Sequence, residues 1–390
     1  MSAIPLLLGD MHHSGDHEGA WRLPGSPIER LSDPSYYVEV ARTLAGGGFD
    51  GIFFADFVGF DPLVKSVVRW PFEPTTLAAA VTAAVPDIGA VVTGSTVFAT
   101  PEQLAATYRT LGAVSGGRAG WNIVTTGAPA TARSFGDVAV PEHDERYRLA
   151  EGVVREVLDR WGADRPLLVQ AGASEAGRQF AARFAEVVFI AAPTLEAARA
   201  TRFDLRRRAA DFGRDPDELR VLPGILTIIG PTASAADELR RRLNALVTEH
   251  AARHMLGMYG VELPGSGLDT PLREVVLDGN HQGIRSRAGV LDTIARGIGD
   301  AATWRDLIDR IAGSRGHLAV AGTGEHIATV MNRWLEAEAC DGFVVKFAHS
   351  PAGMHDFVET VAPRLTGRGI GRGNGWPVRQ RSAAQSFPAT

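Results

Sequence analysis

Residues 115–126 read SGGRAGWNIVTT. A Ser-Gly-Gly turn opens into a run in which small, basic, aromatic and amide residues alternate with apolar ones. A strand buried on both faces is normally built from Val, Ile and Leu. This one carries Arg118, Trp121 and Asn122, and its polar groups gather toward its C-terminal end. That placement matters if the strand belongs to a fold that keeps its chemistry at strand ends.

The flanking segments supply such a fold. Upstream, 4–9 (IPLLLG), 50–56 (DGIFFAD) and 88–98 (IGAVVTGSTVF) read as strands. Between them lie helical stretches at 33–49, 74–85 and 101–115. Ser35 or Asp33 is placed to cap the first, and Pro101 opens the last, where a missing N–H costs nothing. Downstream, strands are expected at 165–172, 186–192, 219–230 and 341–347. Helices are expected at 142–161, 174–185, 194–213, 234–256 and 354–365. With 119–126, this gives eight strands alternating with helices, which predicts an α/β fold of parallel strands with right-handed crossovers. Eight favours closure into a (β/α)8 TIM barrel. The expected domain is a single barrel over 1–371. An insertion at 257–318 breaks the rhythm before the last strand. A Gly-, Arg- and Ser-rich tail at 372–390 is expected to be loosely ordered or to pack on a neighbouring subunit.

Composition narrows the function classes. The 390 residues carry a net charge of −5 and no long basic run, so nucleic acid is a poor partner. The single cysteine, Cys340, excludes an intramolecular disulfide framework and Cys-rich metal sites. The N-terminus lacks a basic n-region, and no stretch approaches the ~18 apolar residues of a membrane helix. A cytoplasmic protein is expected, with no membrane association.

In a (β/α)8 barrel the active site sits at the C-terminal ends of the strands. Asp56 ends the second strand, Thr93 to Ser95 the third, Asn122 to Thr126 the fourth, and Gln170 to Gly172 the fifth. In QAGASEAG (170–177) a strand ends, a glycine turns the backbone, and Ser174 opens a helix whose free N–H groups suit a phosphate. The alternative is that Ser174 is an ordinary N-cap. Glu175 opposes a phosphate unless its side chain points away. His143 and Tyr147, four apart, share a helix face at the start of an apolar stripe. They could hydrogen-bond a ligand at the mouth or form a structural pair. His12, His13 and His17 match no metal motif, and no metal is expected. Aromatic residues near strand ends, from Trp21 and Phe53 to Phe57 and Trp121, could wall an apolar pocket. Such a pocket with one phosphate anchor suits a flat phosphorylated cofactor.

HEGAWRLPG, GGGFDGIFFAD, SGGRAGWNIVTT, HDERY, LVQAGASEAGR and GTGEHIATVMNRW together resemble the motifs of the bacterial luciferase-like superfamily of flavin-dependent monooxygenases. The nearest branch is the nitrilotriacetate monooxygenase component A group, and the resemblance runs from about residue 4 to 371. It implies a two-component monooxygenase that takes reduced FMN from a separate NAD(P)H-dependent flavin reductase and uses O2 to oxygenate a small organic substrate. By matching motifs it implies that Asp56, Thr93, His143, Tyr147 and Ser174 contact FMN, with Asn122 a further neighbour. It gives His17 and His143 catalytic roles and suggests a homodimer or homotetramer. The segment between Tyr147 and Ser174 is shorter than the family pattern, which bears on substrate and leaves the site more open. Two alternatives remain: a deazaflavin-dependent oxidoreductase on the same barrel, and a flavin-binding protein without catalysis.

Overall fold

A computed structural model describes residues 4–56, 72–126, 129–136, 138–162, 165–172, 174–259, 261–272, 291, 294–295, 297–299, 301–366 and 376. Nine strands form one sheet: β1 (Leu6–Asp10), β2 (Gly51–Phe54), β3 (Gly89–Ser95), β4 (Ala119–Val124), β5 (Leu167–Gln170), β6 (Val187–Ile190), β7 (Arg220–Ile229), β8 (Leu318–Gly322) and β9 (Gly342–Phe347). Every pairing between them is parallel. β1 to β7 follow in order, and β9 joins β7 to β1, which closes the cylinder. These eight staves are the eight expected from sequence. A closed (β/α)8 barrel is therefore the observed architecture.

β8 is an addition that sequence reading missed. β7 is ten residues long. Its first half pairs with β6, and its second half runs on to pair Ile225–Ile229 with Leu318–Gly322. β8 thus extends the wall above the point where β6 stops.

The main helices among the described residues are α1 (Pro34–Gly46), α2 (Pro74–Ala84), α3 (Pro101–Val114), α4 (Pro129–Ser134), α5 (His143–Trp161), α6 (Glu175–Phe184), α7 (Leu195–Asp211), α8 (Ala233–Ala245), α9 (Glu249–Met258), α10 (Trp304–Ile311), α11 (Gly324–Glu336) and α12 (Ala352–Thr360). Asp33 caps α1 by accepting from Ser35 N. The single helix expected over 234–256 is two. α8 ends at Ala245, and Thr248 begins a new helix by accepting from Ala251 N. Thr at an N-cap competes with helix continuation there.

Along β4 alternate residues face opposite sides. Trp121 points outward to the helices, packs on Tyr108 and Trp161 and donates to the Gly94 carbonyl at 3.1 Å. Asn122 points into the barrel. Arg118 stays at the N-terminal end, donating to the Ile88 and Thr82 carbonyls. That end is braced by acids placed just before strands. Asp50 accepts from Leu7 N at 2.7 Å, Glu186 from Leu168 N at 2.9 Å, and Asp341 from Val221 N at 2.9 Å. Clamps of this sort, at the face away from the strand ends that carry a barrel's chemistry, serve stability.

The barrel interior is a separate apolar cluster that includes Leu6, Leu8, Phe53, Val91, Val169, Leu222 and Val344. Trp376 belongs to it and is 6% exposed. This corrects part of the expectation for the tail: at Trp376 the chain returns to its own barrel, and the remainder of 372–390 lies outside the described residues. Gly51 and Gly89 at the N-terminal ends of β2 and β3 make the room. A Cβ on Gly51 would lie 2.5 Å from Trp376 Cζ3, and one on Gly89 would overlap the same indole. Trp376→Ala therefore opens a cavity at the barrel floor and costs about 3–5 kcal/mol of stability. Urea denaturation of the variant against the parent protein checks this, and an unchanged midpoint would refute the plug.

Candidate active site

The C-terminal rim is lined by inward-facing residues of several staves. Phe53 of β2 and Phe189 of β6 come from opposite sides, and their rings meet with centroids 5.4 Å apart. They floor the mouth. Beside them on β3 and β4, Thr93 and Asn122 form a directed pair. The Thr93 hydroxyl donates to the Phe54 carbonyl at 3.1 Å, so its oxygen can only accept from Asn122 Nδ2, at 2.9 Å. This fixes the amide orientation. Asn122 Oδ1 is left buried without a hydrogen-bond partner. A buried acceptor in that state is costly unless a ligand donates to it.

The turn after β5 is the second half of the site. Gln170 is buried, and its Oε1 accepts from Gly172 N at 2.6 Å. A Cβ on Gly172 would overlap Gln170 Nε2, lie 2.7 Å from the Tyr147 hydroxyl and 3.0 Å from Gly177 Cα. Tyr147 reaches across from α5 to the start of α6, and His143 packs edge-on against it at 5.3 Å. His143 Nδ1 is 2.7 Å from Asp144 Oδ1. The structure thus brings His143, Tyr147, Gly172 and Ser174 together. Ser174 caps α6, its Oγ accepting from Gly177 N at 3.1 Å. That is the N-cap alternative realised, and it leaves the first N–H groups of α6 to the mouth. Glu175 points away. Arg208 and Arg178 hold its carboxylate, at 3.0 and 2.9 Å, and the Arg208 hydrogen bond draws its pKa down to about 2. Asp56 lies two residues past β2 and is half-buried. Phe57 lies outside the described residues.

His17 sits elsewhere on the rim. Gly19 N donates to its Nδ1 at 3.1 Å, so the ring proton is on Nε2, which donates to Asn244 Oδ1 at 2.9 Å. Burial, the largest influence, lowers its pKa from 6.5 to about 4. Both nitrogens are engaged, and the ring is neutral at physiological pH. That arrangement braces the loop after β1. Below about pH 6.5 the unfolded chain takes up a proton that the folded chain refuses until about pH 4. The stability held at neutral pH therefore declines as pH falls through this window, by ~2 kcal/mol at about pH 5. Denaturant titrations at the two pH values check it, and His17→Gln should flatten the dependence by that amount.

Sequence reading missed a buried ion cluster at the same end. Lys346 of β9 pairs with Asp10 of β1 and with Asp16 at 2.6 Å, all three being buried. Burial works against the Lys346 ammonium, but Asp10 and Asp16 outweigh it and keep its pKa above the ordinary value. Burial likewise pushes the Asp10 carboxyl up, against the pull of Lys346. Among the described residues no group of three or more His, Cys, Asp or Glu could hold a metal, and no helix is long and apolar enough to cross a membrane.

Comparison with known proteins agrees with this architecture. The sequence model of the family described as Luciferase-like monooxygenase matches residues 11–320. The chain is 32% identical to N-acetyl-S-(2-succino)cysteine monooxygenase of Bacillus subtilis (strain 168), covering 92% of this chain and 91% of the relative. It is 31% identical to nitrilotriacetate monooxygenase component A of Aminobacter aminovorans, again over 92% and 91%. Among solved structures, EDTA monooxygenase from Chelativorans sp. BNC1 superposes with a TM-score of 0.81 at 27% identity, covering 98% of this chain and 97% of that one.

Proposed function

The chain belongs to the luciferase-like monooxygenase family, and we propose that it is the oxygenase component of a two-component system using reduced FMN and O2. The observation that carries this reading is the orphaned Asn122 Oδ1 of β4, one stave from the β5 turn that leads to a helix N-terminus framed by Tyr147, Gly172 and Ser174. An acceptor for a ring N–H and an anchor for a phosphate are what a flavin mononucleotide requires. A separate reductase fits a chain that shows no nicotinamide fingerprint. The proposed substrate is a small organic molecule, and the proposed assembly is a homodimer or homotetramer.

When bound, reduced FMN supplies the two electrons with which O2 is divided between a hydroxylated or sulfoxidised product and water. The protein's residues do the rest. The N–H groups at the start of α6, with Ser174 and Tyr147, would hold the phosphate. Asn122 Oδ1 would accept from the ring, with Thr93 keeping the amide in register. Phe53 and Phe189 exclude water beneath it. His143, packed edge-on against Tyr147, is the proposed residue for moving a proton. We assign His17 to bracing, on its two engaged nitrogens.

Coupled turnover tests the reading. The protein, a flavin reductase, NADH and 18O2 are combined with nitrilotriacetate, N-acetyl-S-(2-succino)cysteine, EDTA, dimethyl sulfide and a long-chain alkane. A product carrying one 18O supports it. Turnover of the deazaflavin without O2 consumption would favour the alternative oxidoreductase, and FMN binding with no product from any compound would favour a non-catalytic carrier. Ser174→Asp sets a carboxylate against the phosphate and should weaken FMN binding by at least ~10-fold, about 1.4 kcal/mol. Fluorescence titration reads this directly.

A further inference from the structure

The ion cluster of Lys346, Asp10 and Asp16 has more acceptor capacity than it uses. Leu6 and Leu8 of β1 face the barrel interior. Gly9 faces α1, where a Cβ would lie 2.8 Å from Leu44 Cδ1. Asp10, the last residue of β1, therefore points inward. It is level with Phe53 of the floor, its partner in the β1–β2 register. Lys346 points inward by the same alternation, two residues after Val344 of the interior cluster. Asp16 reaches Lys346 from the loop after β1, which runs back along the end of β9. Its backbone N donates to the Phe347 carbonyl at 2.8 Å, and His17 N donates to that of Ala348 at 3.1 Å. In the ring of eight, β9 lies four staves from β4, and β1 four from β5. The cluster thus stands on the wall opposite Asn122 and the turn that leads to α6.

One ammonium serves two carboxylates. Lys346 Nζ bonds Asp10 Oδ2 and lies 2.6 Å from Asp16 Oδ1. Asp10 Oδ1 and Asp16 Oδ2 are buried with no hydrogen-bond partner among the described residues. The two residues are only 6% and 1% exposed. Burial raises the Asp10 carboxyl, Lys346 draws it down, and the charge of Asp16 raises it again. Neighbouring cations have partners of their own. Arg315 Nη2 lies 2.6 Å from Glu18 Oε1, and His12 Nδ1 donates to the Gly15 carbonyl at 2.9 Å. A buried carboxylate oxygen without a donor is costly.

Resting on the flavin reading, we propose that this wall is a substrate subsite for a protonated amine, whose N–H groups donate to Asp10 Oδ1 and Asp16 Oδ2. The oxygenated molecule then spans the mouth, its cationic nitrogen at the β1–β9 wall and its reacting atom toward the flavin side. A hydrocarbon would leave both oxygens bare, and a carboxylate would be repelled.

The test is calorimetric titration of the full chain, loaded with FMN, with n-butylammonium, n-butanol and n-butanoate as probes. Butylammonium should bind at least about tenfold more tightly than butanol, as a charge-assisted bond to a carboxylate requires, and butanoate more weakly than either. Asp10→Asn and Asp16→Asn each keep the side chain's size and leave Lys346 one carboxylate. Each should remove most of the butylammonium margin while keeping FMN affinity within about threefold, because the two sites are on opposite walls. Equal binding of butylammonium and butanol, or a margin that survives both substitutions, would overturn the proposal. FMN affinity of the parent is read separately. Failure to bind FMN would remove the flavin reading and the subsite with it, whereas FMN binding without an ammonium margin overturns the subsite alone.

Discussion

Gly172→Ala weakens FMN binding by about 100-fold and leaves the barrel folded. The turn after β5 has no room for a methyl group: it would overlap Gln170 and press on the Tyr147 hydroxyl and on Gly177. Gln170 is fixed by its 2.6 Å bond from Gly172 N, and Gly177 by the start of α6. Tyr147 and the α6 N-terminus must therefore separate. Displacements of ~1 Å at a positioning group cost on the order of 100-fold. Stability should change little, because the turn after β5 takes part in neither the strand clamps of Asp50, Glu186 and Asp341 nor the Lys346 ion cluster. Gly152→Ala in α5, where a Cβ meets nothing within 4 Å, is the control. It should bind FMN normally and gain up to ~1 kcal/mol from helix propensity. Equal FMN affinities for the two variants would refute the anchor geometry.

Lys346→Met has the opposite signature. It strips the ammonium from two buried carboxylates and costs about 3–5 kcal/mol, with a large fall in the denaturant midpoint. The hydrophobic replacement fills the volume, so the loss comes from the unpaired charges of Asp10 and Asp16. Adding Asp10→Asn and Asp16→Asn to the same chain removes those charges and should recover most of the loss. If the single variant is as stable as the parent, or the triple variant is no better than the single one, the cluster does not work as described.

How much of this could be read beforehand follows from where each signal lies along the chain. The eight staves were legible because strand and helix periodicity are local. Asp33 at α1 and Ser174 at α6 were legible for the same reason. The pairing of His143 with Tyr147 came from helical spacing. What escaped were contacts between distant residues. Lys346 looks like the polar residue of DGFVVKF until β9 is set beside β1, 336 residues away. Trp376 reads as part of a low-complexity tail until two glycines at the barrel floor receive it. β8 was hidden because five residues, only two of them fully buried, carry little periodicity. His17 shows the reverse limit. Its position near the rim was legible, but its two bonds were not, and those bonds decide what the ring can do.

The central claim is that the mouth of this barrel grips a flavin by its phosphate at the start of α6. Riboflavin differs from FMN only in lacking that phosphate, so paired fluorescence titrations of the two on the full chain address it most directly. The account predicts that FMN binds at least ~30-fold more tightly, a difference of about 2 kcal/mol, and that Ser174→Asp erases most of that margin. Equal affinities for the two flavins, unaffected by Ser174→Asp, would contradict it.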